Sequence, residues 1–96
     1  MNSWGSYNPA IASDFVKRWE GRELKAYQCS AGKWTIGYGH VNGVQEGDEI
    51  SPAEAEQLLV EDLTAIATDL SRLVNVPVSE GQYIALLSLA FNVGAS

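Results

Sequence analysis

Glu20 is the first side chain whose position packing alone does not explain. It stands directly before Gly21, at the end of an apolar helical pattern, with Glu23 close by. The negative end of the helix dipole lies there, which disfavours an ionised carboxylate by about 0.3–1 kcal/mol. That field pushes the carboxyl toward its neutral form, and burial would push it further. A carboxylic acid still protonated near neutral pH is what general acid catalysis needs. The residues alone leave a plainer reading open, a solvated surface glutamate at a helix end.

Cys29 is the single cysteine. Most free cysteines are small buried hydrophobes. A reactive thiolate needs a depressed pKa and a neighbouring base; Lys25 and Lys33 are near in sequence and His40 lies further on. Thr35 falls in a strand-like stretch, where a β-branched residue is expected in any case. His40 follows Gly39 on a loop, with a carboxylate of a later helix as its expected partner. Trp34 and Tyr38 have the shape to stack on a sugar or base, but in a short hairpin such rings more often fill a core. Gly37, Gly39 and Gly43 are not followed by Gly-Lys-Ser/Thr, so no nucleotide cofactor is implied. One histidine and one cysteine argue against a structural zinc site.

The elements that position these groups can be read from pattern. Residues 1–8 form a polar lead-in. Asn8-Pro9 reads as a helix cap and first helical position. Ile11, Phe15 and Trp19, with Val16 beside them, form one apolar face that ends at Gly21. From Leu24 to Val41, Tyr27, Trp34, Thr35, Ile36 and Tyr38 favour strands, and Ser30-Ala31-Gly32 favours a tight turn. This predicts an antiparallel hairpin within a lobe spanning 9–50. Ser51-Pro52-Ala53-Glu54 is a capping-box start for a long helix over 51–75, with Ala55, Leu58, Leu59, Ile66, Leu70 and Leu73 on its apolar face. Ser79 opens another helix, with Gln82 as box partner, and residues 79–96 begin a helical lobe. Asn92 to Gly94 are expected to cap it. The order helix, hairpin, long helix, helix is an α+β fold in one domain over 1–96. The last helix is apolar on nearly every side, which suits the middle of a bundle rather than its edge.

Composition narrows the function. Of 96 residues, 46% are hydrophobic and 19% charged, so a packed core is expected and wholesale disorder is not. Six Lys+Arg against twelve Asp+Glu give a net charge of −6. That disfavours nucleic acid and anionic membrane surfaces as partners. No apolar run approaches the ~20 residues of a membrane helix. Met1 to Phe15 lack the basic start and apolar run of a signal peptide.

Together, these residues resemble the phage-type lysozymes, glycoside hydrolase family 24. The similarity lies in Trp19-Glu20-Gly21, Leu24-Lys25-Ala26-Tyr27, and Gly32-Lys33-Trp34-Thr35-Ile36-Gly37-Tyr38-Gly39-His40. It continues through Ile50-Ser51, Glu54-Ala55-Glu56, Leu58-Leu59, Asp62-Leu63, Val76-Pro77 and Ala90-Phe91-Asn92-Val93-Gly94. The resemblance implies a lysozyme-like fold, with a small hairpin lobe joined by a long helix to a helical lobe that is truncated here. It implies a muramidase that cleaves the β-1,4 bond between N-acetylmuramic acid and N-acetylglucosamine in peptidoglycan, without a cofactor or metal. The family's acid, second carboxylate and threonine map onto Glu20, Cys29 and Thr35. By that resemblance Glu20 protonates the leaving oxygen, Thr35 helps place the attacking water, and the outcome is inverting.

Cysteine in the middle position departs from the carboxylate pattern. It can act as a base or a stabilising charge only when ionised, and an unperturbed thiol has a pKa near about 8.5. The chain also stops before the helices that complete the family's helical lobe and supply one wall of the cleft. A second copy or a domain swap is the expected replacement. The alternative is a non-catalytic peptidoglycan-binding or self-associating fragment. The family implies synthesis in the host cytoplasm and action at the bacterial cell wall after release.

Overall fold

The computed structural model describes residues 1–95; nothing is said of Ser96 or of the side chains of Gly94 and Ala95. Two 3-10 turns, Trp4–Ser6 and Pro9–Ala12, precede helix α1 (Ser13–Lys17). Strands β1 (Glu23–Gln28) and β2 (Trp34–Gly37) follow, then helices α2 (Pro52–Leu70) and α3 (Glu80–Ala95). The expected α+β order is present.

Local chemistry sets most boundaries. Asn8 Oδ1 accepts the Ala10 N–H at 3.0 Å, capping the turn that Pro9 begins. The α2 capping box is complete: Ser51 Oγ accepts from Glu54 N–H at 3.1 Å, and Glu54 Oε1 accepts from Ser51 N–H at 3.1 Å. Ser79 and Gln82 repeat it before α3, at 2.9 and 3.1 Å. β1 and β2 pair antiparallel, with Tyr27 opposite Thr35 and Gln28 opposite Trp34. In the turn, Cys29 N–H donates to Lys33 O at 2.9 Å and Gly32 N–H donates to Cys29 O at 2.8 Å. Gly32 sits at φ +81°, a conformation L side chains rarely adopt.

The hairpin docks on the start of α2. At Gly37 an added Cβ would lie 3.4 Å from Ile50 Cδ1 and 3.6 Å from the Ala55 Cα, at φ +66°. Thr35, Ile36 and Tyr38 are buried in and just beyond β2. His40 secures the far side. Its Nδ1 lies 2.9 Å from Asp62 Oδ2 on α2, and its Nε2 lies 2.9 Å from Asn42 O. Lys17 of α1 pairs with Glu56 of α2, which raises the lysine pKa chiefly through that hydrogen bond.

Several expectations change. α1 ends at Lys17 rather than at Gly21; Val16 is buried and Ile11 packs partly buried against the core as the apolar face implied, but Phe15 and Trp19 are exposed, and Ala12 and Ser13 are buried instead. Trp19 lies two residues beyond the end of α1 and is 71% exposed. α2 stops at Leu70, where the Leu70 carbonyl accepts from the Leu73 and Val74 N–H groups in a closing turn. The buried stripe of α2 is Ala55, Leu59, Leu63 and Ala67; Leu73 is exposed. α3 runs on through Ala95, so Asn92 to Gly94 do not cap it.

The polar lead-in is also ordered. Trp4 is buried against Tyr83 (ring centroids 4.4 Å apart) and its Nε1–H donates to Ala67 O at 2.9 Å. Tyr7 OH donates to Val78 O at 2.7 Å, and Asn2 and Val78 exchange backbone hydrogen bonds at 3.0 and 2.8 Å. Trp4→Ala is therefore expected to cost about 3–5 kcal/mol of folding free energy, the usual range for deleting a buried large ring. Urea denaturation measures it; a loss below about 1 kcal/mol, within reach of a surface substitution, would place Trp4 outside the core.

Candidate active site

Glu20 stands just beyond α1, anchored by its own backbone. The N–H groups of Trp19 and Glu20 both donate to the carbonyl of buried Val16, at 3.0 Å each. The side chain borders a cavity of about 260 Å³ between α1 and α3, with Phe15, Trp19, Ser88, Leu89 and Phe91 among its walls. Glu20 is half-buried there, and burial pushes its carboxyl above its usual range. The direction matches the sequence expectation, but the physical cause is burial. A five-residue α1 has little dipole to contribute. Among the described residues Glu20 makes no ion pair that would oppose the shift.

Cys29 and Thr35 are not in that cavity. They lie together on the hairpin turn and β2, and the turn geometry works on the thiol. Backbone N–H groups of Ala31 and Lys33 point at the sulfur and the Thr35 hydroxyl joins them, so the Cys29 pKa is lowered from the ordinary thiol value. Burial opposes this, by more than the Thr35 hydroxyl contributes, but the two backbone donors outweigh it. The Thr35 Oγ1 also donates to Lys33 O at 3.1 Å, so one buried hydroxyl has two acceptors to choose between.

Tyr27 links the two groups. Burial raises its pKa first, and the charges of Glu20, Glu23 and Cys29 raise it further. Glu20 and Cys29 therefore both lie within electrostatic reach of one phenol. Sequence reasoning treated Tyr27 only as a strand former. The available signal was its place two residues before Cys29. Ser88 was missed as well: its Oγ is buried at the cavity wall without a hydrogen-bond partner. Of the two hairpin aromatics expected to fill a core, Tyr38 does so and Trp34 is only half-buried. Among the described residues no group of three or more His, Cys, Asp or Glu could hold a metal, and no helix is long and apolar enough to cross a membrane.

Residues 17–96 match the phage lysozyme family model. The chain belongs to the phage lysozyme family. The endolysin of Acyrthosiphon pisum secondary endosymbiont phage 1 is 47% identical over 79 residues, covering 82% of this chain and 54% of the endolysin. The endolysin of Salmonella phage P22 is 45% identical over 86 residues, covering 84% of this chain and 59% of the endolysin. The muramidase domain of SpmX from Asticaccaulis excentricus superposes with a TM-score of 0.80 at 35% identity, over 88% of this chain and 58% of that one. The fold is thus a small α+β lysozyme fold. This phage lysozyme chain spans a little over half the length of the two endolysins.

Proposed function

We propose that the chain is a muramidase that hydrolyses the β-1,4 bond between N-acetylmuramic acid and N-acetylglucosamine in peptidoglycan. The observation that carries this reading is a pair of titratable groups shifted toward one another. Glu20 is pushed up by burial and Cys29 is pulled down by hydrogen-bond donors. These shifts raise the share of chains in which Glu20 holds its proton while Cys29 is ionised, the state that a general acid and a general base require. Glu20, still protonated, gives its proton to the glycosidic oxygen as the C1–O bond breaks. Cys29, as thiolate, takes a proton from a water that Thr35 orients, and the resulting hydroxide bonds to C1 from the opposite face. The anomeric centre inverts. The endolysin and muramidase relatives support the substrate class.

Release of reducing sugar from purified sacculi tests this directly. Retention of the chain on sacculi with no sugar released would reject hydrolysis and favour the binding-fragment alternative.

A self-association reading has its own observation. On α3, Leu86, Leu89 and Val93 are 43%, 60% and 66% exposed, and Trp19 faces solvent beside them. Residues 81–96 contain no Asp, Glu, Lys or Arg, so two copies meet there without charge repulsion despite a net charge of −6. A patch of this character marks an interface. Sedimentation is expected to show concentration-dependent association that Leu89→Lys reduces. A monomer at every concentration would contradict it.

A further inference from the structure

We infer that Tyr27 is a substrate-contacting residue of the proposed muramidase site, its exposed ring forming a platform for one sugar of the glycan strand beside Cys29 and Thr35. The inference rests on the hydrolase reading and deepens it.

Sheet geometry carries the placement. Tyr27 pairs directly with Thr35 across the hairpin. Residues opposite one another in an antiparallel ladder point to the same face. Cys29 follows Tyr27 by two and stands directly after the end of β1, where the turn begins. Cys29 N–H still bonds across to Lys33 O at 2.9 Å, so the ladder geometry persists that far. Tyr27 and Thr35 therefore share one face of the hairpin, Tyr27 exposed and Thr35 buried, with Cys29 next to them at the start of the turn.

Packing does not account for the ring. Tyr38 is 8% exposed and belongs to the core, whereas Tyr27 is 41% exposed. Tyr7 OH is satisfied by Val78 O, but among the described residues no protein group bonds to the Tyr27 hydroxyl. A pyranose presents an apolar C–H face and a polar rim. An exposed tyrosine matches both, with its ring against the face and its hydroxyl at the rim. Burial first, and then the charges of Glu20, Glu23 and Cys29, keep that hydroxyl protonated, and therefore a donor.

Two measurements test the assignment. In a Glu20→Gln background, cosedimentation with purified sacculi reads binding without turnover. Adding Tyr27→Ala is expected to weaken retention about five- to tenfold, the worth of one aromatic contact, while Tyr27→Trp keeps it. In the chain that retains Glu20, Tyr27→Ala raises KM by the same factor with kcat unchanged, the signature of lost uniform binding. Unchanged retention and KM in a folded Tyr27→Ala chain overturn the assignment while wild-type turnover leaves the hydrolase reading intact. If Tyr27→Ala does not fold, Tyr27→Trp and Tyr27→Leu decide: equal retention by both overturns it, and loss only in Tyr27→Leu supports it. Absence of sugar release by the wild type overturns the hydrolase reading instead, and sacculus retention that still depends on the ring keeps Tyr27 as a glycan contact.

Discussion

Glu20→Gln is expected to slow sugar release from sacculi by about 10²–10⁴-fold, the usual contribution of a positioned general acid. The same substitution is expected to raise the melting temperature at neutral pH. Both follow from one fact: burial pushes the Glu20 carboxyl up, and no ion pair among the described residues offsets it. At acid pH the group is neutral in the folded and unfolded chains, and its burial carries no charge penalty. As pH rises through the unfolded value, the unfolded chain ionises freely while the folded chain resists. Stability falls until pH passes the raised folded value, and the penalty then stays constant. Glutamine never ionises. Parent and variant should therefore converge at low pH and separate as pH rises, with the variant the more stable. Site residues held against their preference in this way commonly trade stability for activity. A melting curve combined with a turnover assay at several pH values checks both halves. Loss of activity accompanied by lower stability at every pH would show that Glu20 serves the fold instead.

The second large effect concerns Cys29. Activity requires Glu20 protonated and Cys29 ionised, so kcat/KM should follow a bell in pH, falling on the acid side as the thiolate is protonated and on the alkaline side as Glu20 ionises. Both shifts bring the two groups together, one raised from 4.5 and the other lowered from 9.0. The closer their values, the larger the fraction of chains in the competent state, so the hydrogen bonds to the sulfur increase activity. Cys29→Ser removes the ionisation and is expected to cost about 10²–10⁴-fold in kcat/KM. Cys29→Asp restores a base with an ordinary pKa of about 3.9 rather than about 8.5, so activity persists and the acid limb moves to lower pH. Thiol alkylation should act as the serine variant does. A serine variant whose profile overlays that of the parent would remove the thiolate from the mechanism and leave Thr35 alone to place the water.

What could be read in advance divides by the range of the interaction. Ser51 with Glu54 and Ser79 with Gln82 act over three residues, so both capping boxes stand as the sequence implies. The Ser30-Ala31-Gly32 turn also needed only local backbone chemistry. Trp4 and Tyr7 were unreadable for the opposite reason. Their partners, Ala67 and Val78, lie 63 and 71 residues away, and nothing in a polar lead-in announces them. The apolar stripe that begins at Ile11 is only partly used, because α1 ends at Lys17 and leaves Trp19 beyond it, exposed.

The candidate site shows the same division. That Glu20 favours its proton was readable from an acid placed at a helix end. That burial rather than the dipole is responsible required the cavity formed with α3. The donors around Cys29 come from a turn only a few residues long, yet the sequence says nothing of where their N–H groups point. Thr35 reaches the sulfur through strand register, and the same register brings Tyr27 onto the same face as Thr35.

The central claim is that burial keeps one carboxyl neutral above the pH at which a free glutamate ionises. A carbon-detected NMR titration of the Glu20 carboxyl in the intact chain measures this without any substrate. The account predicts a midpoint above 4.5, the ordinary value. A midpoint at or below that value would contradict it, because burial would then not favour the protonated form.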